Sequence, residues 1–150
     1  MAVKMKLEGF SDLDKELAQF SKSVGKGVLR RTLIAASGPL AALMRQNAPR
    51  DTQALYDSIA ISTKLNARQS RLHRRMFRND KASVEVFVGA GTLPQAHLQE
   101  FGTENHSPQA FIRPAWDNDK MQLLERIKKL LRIEIDKAAL RAARKAAKAG

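Results

Sequence analysis

Residues 97–116 read HLQEFGTENHSPQAFIRPAW, and this stretch departs from the composition of the rest of the chain. It contains the only Trp, two of the six Phe, two of the five Pro and two of the three His, with a single cation. Its glycine, serine and prolines predict a turn between a strand and a long basic helix. An acidic and aromatic turn has the composition of a docking surface, and we do not expect a catalytic pocket here.

Alternating apolar residues on the N-terminal side of this turn predict three strands, over residues 3–7, 59–63 and 84–88. Residues 66–81, between the second and third strands, are rich in arginine and poor in apolar side chains. We expect a basic loop there, because a connection of this length is either functional or disordered until it is bound. One or two helical turns are expected over 96–101.

Helical spacing of apolar residues predicts a short helix from Ser11 and a core helix over 22–47, with a kink or break at Gly38-Pro39. After an extended piece over 111–115, a last helix is expected from Asp117, packed on the sheet through residues 121–135. The fold class is therefore α+β: a small, mostly antiparallel curved sheet packed by a long kinked helix, with an extended C-terminal helix. We expect one domain over residues 1–135 and a basic, alanine-rich helical tail over 136–150.

The chain's 150 residues, 43% of them apolar, suffice for one core, and it has no cysteine for disulfides or thiolate metal sites. No stretch approaches the roughly 18 uninterrupted apolar residues of a membrane span, and the first residues lack the apolar core of a signal peptide. We expect a soluble chain made in the cytosol, without membrane association.

The net charge of +12 is unevenly distributed along the chain. Residues 1–63 carry +3, 64–81 carry +6, 82–119 carry −4 and 120–150 carry +7. This separation permits electrostatic pairing between copies, with the acidic 97–117 region as one candidate contact. The basic segments are candidates for contact with DNA or a partner, or are simply solvated. The residues concerned are Arg68, Arg71, Arg74, Arg75, Arg78, Arg141, Arg144 and Lys145.

Catalytic, cofactor and metal sites are not expected. His97 with Glu100, and Glu104 with His106, have spacings that suit metal ligands, but a site needs three or four converging ligands with support behind them. No serine, histidine and carboxylate combination occurs in a recognisable catalytic context, so we expect a protein that is not an enzyme.

Two separated segments resemble the neck and tail-completion proteins of long-tailed bacteriophages, the lambdoid siphophage morphogenesis family. Residues 48–59, APRDTQALYDSI, are similar to that family's A-P-x-x-T-G-x-L-x-x-S-I, except that Gln53 replaces the glycine. Residues 100–103, EFGT, and 108–115, PQAFIRPA, are similar to its E-F-G-T and P-x-x-F-[LI]-R-P-A. Their order, with a core helix before and a long helix after, extends the resemblance over about residues 10–135.

The resemblance implies a structural virion protein located in the neck or tail. It would form a homo-oligomeric ring of six copies, join the tail to the head connector and leave a lumen for DNA. The family motif places a turn at Pro49, Asp51, Thr52, Leu55 and Ser58. Ring contacts would lie near Glu100, Phe101, Gly102, Thr103, Glu104, Phe111, Arg113 and Trp116, unless the three aromatics belong to the chain's own core.

Alternatives remain open at this point. A tail terminator or a head-closure ring protein of the same neck would share the demand for ring-forming surfaces. A nucleic-acid-binding accessory protein without sequence preference is the alternative from another class, and it would act through the two basic segments.

Overall fold

The computed structural model describes residues 10–50, 53–79, 84–91 and 93–150. Six helices and two strands occur within these ranges. The helices are α1 (Phe10–Ala18), α2 (Lys22–Asn47), α3 (Gln53–Ser58), α4 (Ala67–Met76), α5 (Pro94–Phe101) and α6 (Ile112–Ala149), and the strands are β1 (Ala60–Ser62) and β2 (Phe87–Gly89).

Helix α2 has the predicted limits, and it continues unbroken through Pro39. Proline removes a backbone donor and crowds the preceding turn, which is why a kink or break was expected there. At this turn the carbonyl of Ala36 accepts a hydrogen bond from Arg126 Nε of α6 at 3.1 Å. Pro39 leaves the carbonyl of Ala35 without its helical donor, and Arg126 binds the next carbonyl of the same turn, that of Ala36, while the helix continues unbroken.

The core lies chiefly between α2 and α6, which cross in extensive contact. Phe111, the N-cap of α6, and residues Ala115, Asp119 and Leu123 within the helix recur every four positions and are all buried. The expectation that the last helix packs on the sheet is wrong, because its apolar stripe is covered by α2. The sheet packs against α2 instead.

A second, smaller core holds α1 against the two long helices through Leu13, Val28, Leu131, Ile135 and Ala138. Beyond Ala138 every residue of α6 is exposed. The basic tail is thus helical, and Ala138 is its only buried residue. No helix in the described ranges combines the length and the apolar character that crossing a membrane would require.

Strands β1 and β2 pair antiparallel, with Ile61 opposite Val88. Strand β1 confirms the centre of the strand predicted over residues 59–63, whereas β2 overlaps only the last two residues of the strand predicted over 84–88. The strand predicted over residues 3–7 lies outside the described residues.

Two segments differ from their predicted conformations. Most of the arginine-rich connection is helix α4, which starts with a capping box: Gln69 N donates to Asn66 Oδ1 at 2.7 Å and Asn66 N donates to Gln69 Oε1 at 3.4 Å. Helix α6 starts at Ile112, so residues 112–115 are helical and not extended. The reason for the early start of α6 is a side chain from α5.

Candidate assembly surface

The side chain of Glu100, at the end of α5, caps the first turn of α6. Its Oε2 accepts hydrogen bonds from the backbone N–H groups of Phe111 at 2.8 Å and Ile112 at 3.0 Å. Its Oε1 accepts from Arg113 N at 3.0 Å and from Arg113 Nε at 3.0 Å. Phe111, the residue before the helix, supplies no side-chain cap of its own. The carboxylate therefore satisfies N–H groups that would otherwise lack a partner, at the positive end of the helix dipole.

Burial and hydrogen bonding act in opposite directions on the pKa of Glu100. Burial raises the pKa, because the side chain is only 5% exposed, but the N–H groups of Ile112, Arg113 and Phe111 and the Arg113 guanidinium favour the charged form. The net effect lowers the pKa of Glu100 below its ordinary value. This carboxylate is thus ionised, and both of its oxygens accept hydrogen bonds within the protomer.

The turn after α5 folds back along that helix. Gly102 has φ of 76°, and a Cβ there would lie 2.8 Å from Pro108 N and 2.9 Å from His106 O. Thr103 and His106 form an isolated antiparallel bridge, and Gln109 N donates to Gln99 O at 2.8 Å. Only glycine fits this position, because the chain can fold back so closely only where residue 102 has no side chain.

Large apolar side chains project from this supported corner. Phe101 is 58% exposed and Trp116 is 48% exposed. The Phe101 ring lies 5.0 Å from the guanidinium carbon of Arg113, and its centroid is 5.0 Å from that of His97. Trp116 lines a groove of about 320 Å³ together with Leu40 and Ile127. We call Phe101, Arg113 and Trp116 the aromatic corner.

The residues proposed for ring contacts therefore divide into two groups. Glu100 and Phe111 are buried within the protomer, and they support the corner from inside without being presented to a neighbour. Gly102 shapes the turn. Exposed positions, which remain available for contact, are Phe101, Thr103, Glu104, Arg113 and Trp116.

Residues 82–119 offer less negative surface than their sequence charge of −4 suggests. The oxygens of Glu100 are occupied by the cap, and Asp119, only 2% exposed, accepts hydrogen bonds from Arg126 at 2.9 and 2.5 Å. The hydrogen bond that Arg126 donates to Asp119 outweighs desolvation and raises the pKa of Arg126. Glu104 and Asp117 remain exposed in this region. Sequence reasoning missed the Asp119–Arg126 pair, although a spacing of seven residues places both on one helical face.

In the segment APRDTQALYDSI, Ala48 is the C-cap of α2 and residues 53–58 form helix α3, so the segment does not run directly into a strand as expected. Pro49 follows α2, Leu55 is 3% exposed in α3, and Ser58 Oγ donates to Leu55 O at 2.6 Å. Asp51 and Thr52 lie outside the described residues. Gln53 is the first residue of α3, and no non-glycine residue with positive φ occurs in the described ranges. Glutamine at this position therefore requires no strained backbone.

The two groups of basic residues lie on separate helices. Arg68, Arg71, Arg74 and Arg75 belong to α4, and Arg78 follows it. The tail residues Arg141, Arg144 and Lys145 lie on the exposed end of α6. In the part of the chain that the structure describes, no cluster of three or more histidines and carboxylates could hold a metal ion.

The sequence model of one protein family, HK97-gp10-like, matches residues 11–102; it is described as "Bacteriophage HK97-gp10, putative tail-component". The chain belongs to this family. It is accordingly a bacteriophage tail component, and a place in the virion follows from that membership. No curated protein and no solved structure matches the chain.

The matched range includes the APRDTQALYDSI segment and Glu100, but it ends before residues 108–115. The structure joins the two parts of the second motif physically, since the glutamate of EFGT caps the helix that begins within PQAFIRPA. The resemblance noted in the sequence is thus confirmed at the level of a phage tail component family.

Proposed function

We propose that this tail component is a ring-forming neck subunit that joins the tail to the head connector and leaves a lumen for DNA. The observation that carries the proposal is the aromatic corner: exposed Phe101 and Trp116 stand on a backbone fixed by Glu100 and Gly102. Exposed aromatics on a rigid backbone favour association, since little conformational freedom is lost on binding. The role is structural and requires no catalysis.

A closed ring requires that each copy present two different surfaces, one fitting the other on its neighbour. The aromatic corner supplies one of them. Shape and apolar contact carry more of this interface than charge does, because two of the five carboxylates in residues 82–119 are neutralised inside the protomer. Six copies is the number that the family resemblance favours, and the head-closure or connector ring and the tail are the expected neighbours.

The tail terminator and head-closure layers are the nearest alternatives, because an exposed aromatic corner suits any ring of the neck. Imaging of purified tails with and without added protein distinguishes them. Density at the head-proximal end of a completed tail supports the joining role, whereas density on free connectors supports head closure.

The experiment measures assembly directly. Size-exclusion chromatography with light scattering over a concentration series gives the copy number of the wild type, of Phe101→Ala and of Leu140→Ala. Leu140 is the matched control, because it is 60% exposed but lies in the tail of α6. We expect a ring for the wild type and Leu140→Ala, and a shift toward monomer for Phe101→Ala. A wild type that remains monomeric alone and with tails would show that the ring proposal is wrong.

A further inference from the structure

Helix α4 carries its arginines on one side. Successive residues of an α-helix are rotated by about 100°, so the spacing of the four arginines within the helix confines them to an arc of roughly 120°, and Arg78 follows the helix end. We call these residues the arginine stripe, and all of them are exposed: Arg68, Arg71, Arg74, Arg75 and Arg78. The sequence alone placed these residues in a loop, where they would have had no common direction.

The opposite side of α4 is attached to the body of the protein. Gln69 Nε2 donates to Gly91 O at 2.7 Å. The His73 ring packs edge-on against Phe87 of β2 at 5.2 Å, and its Nε2 lies 3.7 Å from Glu85 Oε2. With the capping box at Asn66, these contacts fix the rotation of the helix, so the arginine stripe points away from the sheet.

The arginine stripe has no counter-charge within the described chain. None of its five guanidinium groups forms a salt bridge with a carboxylate in the described ranges. A second copy is a poor source of negative charge, because each copy carries 27 cations against 15 anions. Like-charged molecules repel, and five adjacent cations therefore suit a partner with dense negative charge.

We propose that the arginine stripe binds the phosphate backbone of duplex DNA without reading its sequence. From Arg68 to Arg75 the helical part of the stripe extends about 10 Å at a rise of 1.5 Å per residue. Duplex DNA carries one negative charge per roughly 1.7 Å of its axis, so about six phosphates lie along that length. Phe77 packs on His73, on the side of α4 away from the stripe, so no aromatic ring within the stripe is placed to stack on bases. The proposal stands on the charge geometry of α4 and does not require a ring.

The test is fluorescence anisotropy of the full chain with a short labelled duplex of random sequence, over a series of salt concentrations. The stripe variant is Arg68→Gln, Arg71→Gln and Arg75→Gln, which keeps good helix formers on an exposed face. Each phosphate contact contributes about 0.9 to the slope of log affinity against log salt, so the slope of the variant should fall by roughly 2 to 3. Its affinity at about 100 mM salt should fall tenfold or more.

Two control variants remove equal charge elsewhere. Lys22→Gln, Lys26→Gln and Arg30→Gln neutralise three exposed cations of α2, and Arg141→Gln, Arg144→Gln and Lys145→Gln neutralise three in the tail. Both should keep most of the wild-type slope. Equal slopes for the stripe variant and the wild type, or a wild type that does not bind duplex, would overturn the proposal. So would a larger loss in either control.

Two other polyanions distinguish duplex DNA from alternative partners. Leu72 and Met76, 51% and 75% exposed, border the arginine stripe and could enter a lipid surface. Flotation with vesicles containing anionic phospholipid, in the absence of DNA binding, would reassign the helix to membranes. Binding of polyglutamate as tight as that of DNA at equal charge would reassign it to acidic proteins. Preference for duplex over both supports the proposal.

Discussion

Replacing Glu100 with glutamine tests whether one carboxylate holds the aromatic corner in place. The amide keeps the size of the side chain but removes its charge and replaces one acceptor oxygen with a donor. In the wild type both oxygens accept, from the N–H groups of Phe111 and Ile112 on one side and from the two nitrogens of Arg113 on the other. The glutamine amide has a single acceptor oxygen, so it can accept hydrogen bonds from one of these two pairs of donors but not from both.

The magnitude follows from the groups that lose a partner. Arg113 is exposed and its guanidinium can turn to water, so one buried backbone N–H remains unsatisfied, at a cost of about 1–3 kcal/mol. The hydrogen bonds that remain lose their charge assistance, which costs roughly 1 kcal/mol more. We expect a total loss of about 3 kcal/mol in the free energy of unfolding. For a chain of this size that lowers the Tm by roughly 6–12 °C.

The pH dependence supplies a second readout. The pKa of Glu100 is lower in the folded state than its ordinary value of 4.5, so the carboxylate stabilises the fold fully above pH 4.5. This contribution disappears as the pH falls through the lowered pKa. The stability difference between wild type and Glu100→Gln should therefore be constant near neutral pH and narrow below pH 4.5.

Urea unfolding at several pH values measures both effects. Glu104→Gln is the matched control, because Glu104 is an exposed glutamate in the adjoining turn. Its substitution should change the free energy of unfolding by less than about 0.5 kcal/mol. A comparable small change for Glu100→Gln, or a difference that stays constant down to pH 3, would refute the capping role.

Two further comparisons address the turn and the buried ion pair. Gly102→Ala should destabilise by more than about 1 kcal/mol, because its positive φ and the close Pro108 nitrogen both oppose a Cβ. Gly38→Ala should instead stabilise the fold by roughly 0.5–1 kcal/mol, because Gly38 lies within a helix and no atom is close to a Cβ built there. Thermal unfolding measures both variants, and equal changes in the stability of the two would contradict this reasoning. Asp119→Leu should lower the free energy of unfolding by about 3 kcal/mol, because it leaves Arg126 without its partner. Adding Arg126→Met should recover part of that loss. Urea unfolding measures both variants, and additive losses would argue against coupling of the pair.

Local sequence signals predicted the elements whose stabilising contacts are close in the chain. The limits of α2 follow from Ser21, which caps its start, and from Pro49 after its end. The position of β1 follows from alternating apolar residues, which the pleat places on one face of the sheet. Here the local pattern and the tertiary structure agree.

The remaining differences have tertiary or compositional causes. The start of α6 depends on Glu100, which lies eleven residues before Phe111. The helix propensity of residues 111–115 does not reveal that contact. The contact between α6 and the proline turn of α2 joins Arg126 to the carbonyl of Ala36 across ninety residues, and no local pattern predicts it. The many arginines of α4 led to the prediction of a loop. The start of the helix was nevertheless detectable, because Asn66 and Gln69 have the spacing of a capping box.

For the candidate site, sequence patterns predicted which residues form the corner but not which of them face outward. Glu100 and Trp116 were both expected near ring contacts, yet one is 4% exposed and the other 48%. That distinction depends on how α5 and α6 meet. It is fixed by hydrogen bonds and packing that no periodicity encodes.

The Glu100 cap also has a consequence for the entropy of the chain. The cap closes a loop of eleven residues between Glu100 and Phe111, whereas the Arg126 contact with Ala36 closes one of ninety. Because the closure cost grows with the logarithm of loop length, the shorter loop costs about 2 kcal/mol less to close. More of the hydrogen-bond energy of the Glu100 cap therefore remains as net stability. The start of α6 thus depends less on the docking of α2 than the middle of α6 does.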